Sequence, residues 1–147
     1  SNTQGLRPLS YLGDHMSDAL NIQIDGTHYK RLKMQPLELA YLVGGTPCFT
    51  KLAKYLVRDK GDRRINLDKA IHCIKIEEQI NETATYHVLD CYPTLSNYAK
   101  KDQAQIVINM YSDDPFIQAA LKAMLNQDYR AAVLEVEALK RSLDGGE

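Results

Sequence analysis

The stretch Gly44-Gly45-Thr46-Pro47 constrains this chain more than any other. Paired glycines end a helix, because glycine takes the left-handed backbone of a helix C-terminus without a steric penalty. Thr-Pro starts one. The threonine hydroxyl can accept from a free first-turn N–H, and proline at the first position lacks a donor that would go unpaired anyway. Two helices must therefore meet here. Upstream, Leu37, Leu39, Ala40, Leu42 and Val43 follow a first-turn Pro36. Downstream, Phe49, Leu52, Ala53 and Leu56 fall at i, i+3, i+4 and i+7, the spacing of one apolar stripe on an α-helix.

The same punctuation organises the rest of the chain. The helix from Pro47 is expected to end near Lys60-Gly61. Asn66 can cap a third helix over about 67–84, with Leu67, Ala70, Ile71 and Ile74 on one face. Cys73, Ile76 and Ile80 widen that face, so burial on two sides is expected; Asp68, His72, Lys75 and Gln79 form its polar strip. Pro93 interrupts the period, and residues 85–97 read as a connection. Three more helices are expected at about 97–111, 115–126 and 129–143, with Asp114-Pro115 as a second cap-and-proline start. The expected fold is all-α: a small helical domain with a central helical hairpin plus C-terminal antiparallel helices. Residues 1–24 read as a loose N-terminal arm with a short extended NIQI at its end, 25–84 as the helical core, and 85–147 as a helical extension.

Composition narrows the function. At 147 residues, 44% apolar and 25% charged, the chain can bury a core without staples. A formal net charge of −1 argues against a general nucleic-acid binder or a polybasic membrane binder. Cys48, Cys73 and Cys91 make an odd, widely spaced set with no C-x-x-C, so neither a disulfide scaffold nor a zinc finger is expected, and a reducing compartment fits. No apolar run is long enough to span a membrane, and SNTQGLRP has no charged-then-apolar leader pattern.

Phosphate chemistry has to be sought in local charge. No G-x-x-x-x-G-K-[ST] is present. GGTPCFTK at 44–51 approaches it, but the glycine spacing differs and Pro47 removes a donor, so helix stop and helix cap is the plainer reading. In TKLAKYLVRDKGDRR, Lys51, Lys54 and Arg58 recur on successive turns opposite the apolar stripe, with Tyr55 among them; Lys60, Arg63 and Arg64 follow and could fold back. Converging cations hold phosphate, yet amphipathic helices also carry basic outer faces, and spacing alone leaves both readings open. His28-Tyr29-Lys30 joins a potential acid/base, a ring and a cation, or is a loop anchored by its tyrosine. His72 reads as a solvated or hydrogen-bonded structural histidine. Glu77, Glu78 and Glu82 miss the E-E-x-x-E pattern with which all-α nucleotide pyrophosphohydrolases hold magnesium, because Asn81 stands where the third glutamate belongs. Asp59, Asp62 and Asp68 flank the basic loop as magnesium candidates or surface ion-pair partners.

Four pieces together carry a resemblance: His28-Tyr29, QPLEL at 35–39, Lys54-Tyr55-x-x-Arg58 and Leu67-x-Lys69-Ala70-Ile71. Over about residues 25–82 the chain resembles the SaV-like phage domain family, labelled as of unknown function, which includes a podoviral nucleotide kinase lacking a Walker motif. It departs from that pattern at Thr50-Lys51, where the family has Gly-Asn, at the RDKGD turn of 58–62, where the family has an R-A-G-K-K-like turn, and at His72-Cys73, where the family has an aromatic pair. The resemblance implies a nucleotide-handling protein of the host cytoplasm that transfers a phosphoryl group from ATP, with magnesium, to a deoxynucleoside monophosphate. It implies His28, Lys54 and Arg58 as catalytic residues. Tyr29, Lys30, Lys51, Tyr55, Lys60, Lys69 and His72 would hold substrate or phosphate, and Asp62 and Asp68 the metal. A homo-oligomer is implied, with no membrane and no general nucleic-acid partner. The alternative is a non-catalytic phage protein that captures a nucleotide or a host protein with the same face.

Overall fold

The structure, a computed structural model, describes residues 34–83 and 101–145. The expected NIQI strand, the His28-Tyr29-Lys30 cluster and the connection around Pro93 lie outside the described residues. The glycine pair divides the first two helices as its chemistry requires. Gly44, at φ 73°, closes α1 (Pro36–Val43) in the left-handed conformation, and its N–H donates to Ala40 O. Gly45 also donates to Ala40 O, at 2.8 Å. A Cβ on Gly45 would stand 2.4 Å from Phe49 Cδ1, so this turn lies directly on the ring that opens the next helix. Helix α2 (Pro47–Val57) begins with Thr46 Oγ1 accepting from Phe49 N at 3.0 Å.

The turn into α3 (Arg63–Thr83) differs from the expected one. Asp62, not Asn66, caps this helix: its Oδ1 accepts from Arg64 N at 2.8 Å and Ile65 N at 3.4 Å. Both side chains offer the needed acceptor, but Gly61 at φ 83° reverses the chain just ahead of Asp62, so the first free N–H groups form there. Asn66 is buried instead, and its Nδ2 donates to Lys60 O at 3.0 Å, pinning the turn. Helix α2 stops at Val57, short of the expected Lys60, and Arg58 is already extended at ψ 127°. Arg63 closes this end. Its Nη1 donates to Tyr55 O at 3.4 Å and Arg58 O at 3.5 Å, meeting carbonyls at the negative end of the helix.

Three helices follow: α4 (Lys101–Tyr111), α5 (Pro115–Leu125) and α6 (Tyr129–Ser142). Asp114 caps α5 by accepting from Phe116 N and Ile117 N, and Asp128 caps α6 by accepting from Ala131 N. Helix α2 packs on α3 and α5, and α6 packs on the same two, so these four close a ring. Helix α1 lies against α2 and α4, and α4 against α5. Hydrogen bonds give the directions. Thr46 at the start of α2 meets Glu77 late in α3, and Arg63 at the start of α3 meets the end of α2, so the pair is antiparallel. Tyr129 meets Asn81, and Lys140 meets Asp68, so α6 is antiparallel to α3. The fold is all-α, and no strand occurs among the described residues.

One apolar cluster fills the ring. Phe49, Leu52 and Leu56 of α2 meet Leu67, Ala70 and Ile74 of α3, Leu121 and Met124 of α5, and Val136 and Leu139 of α6. Each large side chain so buried stabilises the fold by about 1.5–3 kcal/mol. Tyr111 ties α4 in through its hydroxyl, which donates to Ala53 O at 2.7 Å. The expected two-sided burial of α3 fails on one side. Cys73 is buried, but Ile76 is 37% and Ile80 50% exposed, because only the Leu67–Ala70–Ile74 line and its flanks face the other helices. Among the described residues no helix is long and apolar enough to cross a membrane.

Candidate functional site

The antiparallel α2–α3 pair carries three lysines and a tyrosine on its outer side. Lys54 Nζ lies over the Tyr55 ring, 4.5 Å from its centre, and Lys69 Nζ reaches the same ring from α3, at 5.7 Å. Tyr55 is half-buried and packed against the core cluster, which fixes the ring both cations use. A ring quadrupole attracts each ammonium, worth about 0.5–1 kcal/mol at an exposed site, but the two cations repel each other. Among the described residues no carboxylate pairs with either; the ion pairs there are Arg64–Asp144 and Lys140–Asp68. Lys51 is exposed one turn before Tyr55 on the same face, so a third cation borders the pair. An anion held between these groups would relieve their repulsion and accept charge-assisted hydrogen bonds.

The other expected residues distribute differently. His28, Tyr29 and Lys30 lie outside the described residues. Arg58 has left the helix and is not on a third successive turn of it. Lys60 is exposed, and its carbonyl serves Asn66. Arg63 turns inward to the end of α2 rather than outward to the patch; burial pulls its guanidinium below the usual value, opposed by the nearby Asp114 carboxylate. Arg64 pairs with Asp144. His72 is exposed on α3, one turn beyond Lys69. Asp62 is engaged as a cap and Asp68 in its 2.6 Å contact with Lys140. No group of three or more His, Cys, Asp or Glu side chains that could hold a metal ion forms among the described residues.

A polar cluster that spacing did not single out joins α2, α3 and α6. Glu77 is buried, 6% exposed, between three helices. Its Oε1 accepts from the Thr46 hydroxyl and its Oε2 from the Tyr129 hydroxyl at 2.8 Å. The donor directions are consistent throughout. Thr46 gives its proton to Glu77 and receives from Phe49 N; Tyr129 gives its proton to Glu77 and receives from Asn81 Nδ2. The sequence signal for this cluster was the stripe itself: the line Leu67, Ala70, Ile74 continues at helical spacing to Glu77 and Asn81.

Three acids in this region are held neutral. Burial, then the hydrogen bond to Glu77, raises the Tyr129 phenol well above its ordinary 10.0. Burial raises the Cys73 thiol above its ordinary 9.0, against the opposing pull of Lys51 and Lys54. Burial, then the Glu77 charge, raises Cys48 likewise. For an acid whose folded pKa lies above its unfolded one, the stabilising contribution is complete below the unfolded value and is lost as pH rises through the folded one. Urea midpoints are therefore expected to hold steady from neutral pH to about pH 9 and to fall above it. Cys48→Ser and Cys73→Ser together should flatten the first part of that fall; a wild-type midpoint that rises above pH 9 would contradict the assignment.

No protein-family model, curated protein or solved structure matches this chain.

Proposed function

We propose that this chain is a nucleotide-binding protein, with Lys51, Lys54 and Lys69 around Tyr55 taking the phosphate of a deoxynucleoside monophosphate. One observation carries the reading: two ammonium groups, from different helices, share a single tyrosine ring without a carboxylate among the described residues to neutralise them. The substrate class comes from the resemblance to SaV-like phage proteins, whose shared Lys54-Tyr55-x-x-Arg58 and Leu67-x-Lys69 pieces supply two of the three lysines and the ring. Two activities use such a site: phosphoryl transfer from ATP, and capture without turnover. Capture is the better supported, because Asp62 and Asp68, the two carboxylates the resemblance implies for the metal, are engaged in capping and pairing.

Thermal unfolding in the presence of each deoxynucleoside monophosphate tests this. A ligand at one hundred times its Kd stabilises the folded state by about 2.7 kcal/mol, a rise of several degrees for a domain of this size. At least one nucleotide at millimolar concentration is expected to raise the midpoint, and raised salt should shrink the effect. Midpoints unmoved by all four nucleotides would refute the reading. A coupled assay with ATP and magnesium separates the two activities, since product nucleoside diphosphate forms only under transfer.

A further inference from the structure

We propose that the base of the bound nucleotide lies along α3 on His72 and Ile76, which makes this strip the specificity element of the site; the inference rests on the nucleotide reading above. Tyr55 is the obvious platform for a base, but its ring is packed against the core and carries the Lys54 and Lys69 ammonium groups. It positions cations and has little free face to stack on. The base must then extend beyond the lysines, and α3 offers the direction. Lys69, His72 and Ile76 stand at i, i+3 and i+7, on one face of the helix, and all three are exposed. From Lys69 to Ile76 the helix rises about 10 Å, enough to accommodate a sugar and a base beyond a phosphate.

The chemistry of the strip suits a nucleobase rather than a bare anion. A phosphate needs only the lysines. Ile76, 37% exposed with the 50% exposed Ile80 one turn further on, and the His72 ring one turn before it offer an apolar edge and a flat, hydrogen-bonding group. Neighbouring carboxylates point elsewhere: Asp68 to Lys140, and Glu77 inward to Thr46 and Tyr129. Among the described residues the carboxylate on this strip, Asp68, is thus offset by the Lys140 ammonium.

Calorimetric titration of the full chain with the four deoxynucleoside monophosphates and with 2-deoxyribose 5-phosphate tests the proposal. At least one nucleotide is expected to bind about tenfold or more tightly than the sugar phosphate, a difference of about 1.4 kcal/mol. Ile76→Ser and His72→Ala should each narrow the ratio of the two affinities, with circular dichroism reporting an unchanged helix content. Sugar phosphate binding as tightly as every nucleotide would overturn the base strip while leaving the phosphate site standing. So would a ratio that neither substitution changes. Absence of binding by all five compounds would overturn the nucleotide reading itself, and the strip with it.

Discussion

Glu77→Leu is expected to lower folding stability by about 3 kcal/mol, read as a shift of the urea midpoint without a change in slope. The carboxylate is the common acceptor for two hydroxyls brought by different helices, Thr46 at the start of α2 and Tyr129 at the start of α6. Removing it leaves both half-buried donors facing leucine, and an unsatisfied buried group costs about 1–3 kcal/mol. It also removes a negative charge beside the positive end of α2. The loss is a large part of the 5–15 kcal/mol that holds a domain of this size. Tyr129→Phe alone should cost less, because Glu77 keeps Thr46. The two changes together should cost less than their sum, since phenylalanine removes one of the donors that leucine strands. A Glu77→Leu change within about 0.5 kcal/mol of wild type would place Glu77 among ordinary surface residues and remove the link between α2, α3 and α6.

What the sequence made legible was local. Gly44-Gly45-Thr46-Pro47 and Asp114-Pro115 mark their helix boundaries because capping is settled within a few residues. The Asp62 cap was missed because Asn66 offered an equally good acceptor, and Gly61's positive φ, which decides between them, is a property of the folded turn. Arg63 and Arg64 looked like patch residues because charge alone does not reveal direction; one bonds the end of α2 and the other Asp144. Lys54 and Lys69 are fifteen positions apart in sequence, and only the antiparallel pairing of α2 with α3 brings both to Tyr55. Ile76 and Ile80 counted as core by periodicity, yet the ring of four helices closes on the other side of α3.

The larger functional effect is expected from Lys54→Ala combined with Lys69→Ala. Each lysine can give a phosphate one charge-assisted hydrogen bond, worth about 1.5–3 kcal/mol, so the pair should account for a loss of two orders of magnitude or more in nucleotide affinity. Fold stability should hardly change. Cation–π contacts at exposed sites are worth about 0.5–1 kcal/mol each, and relief of the repulsion between the two ammonium groups offsets part of that. Tyr55→Leu should weaken binding less than the double change, since it leaves both charges but removes the ring that gathers them. Lys122→Ala, an exposed cation on α5 rather than on α2 or α3, controls for a general effect of charge.

The most direct measurement is a calorimetric titration of the nucleotide that gives the largest thermal shift, run on wild type, Lys54→Ala/Lys69→Ala and Lys122→Ala at fixed ionic strength. Saturable binding is expected in wild type and in Lys122→Ala, with about a hundredfold loss in the double variant while its unfolding midpoint stays near wild type. Equal affinity in all three proteins would contradict a phosphate site at Lys54, Tyr55 and Lys69.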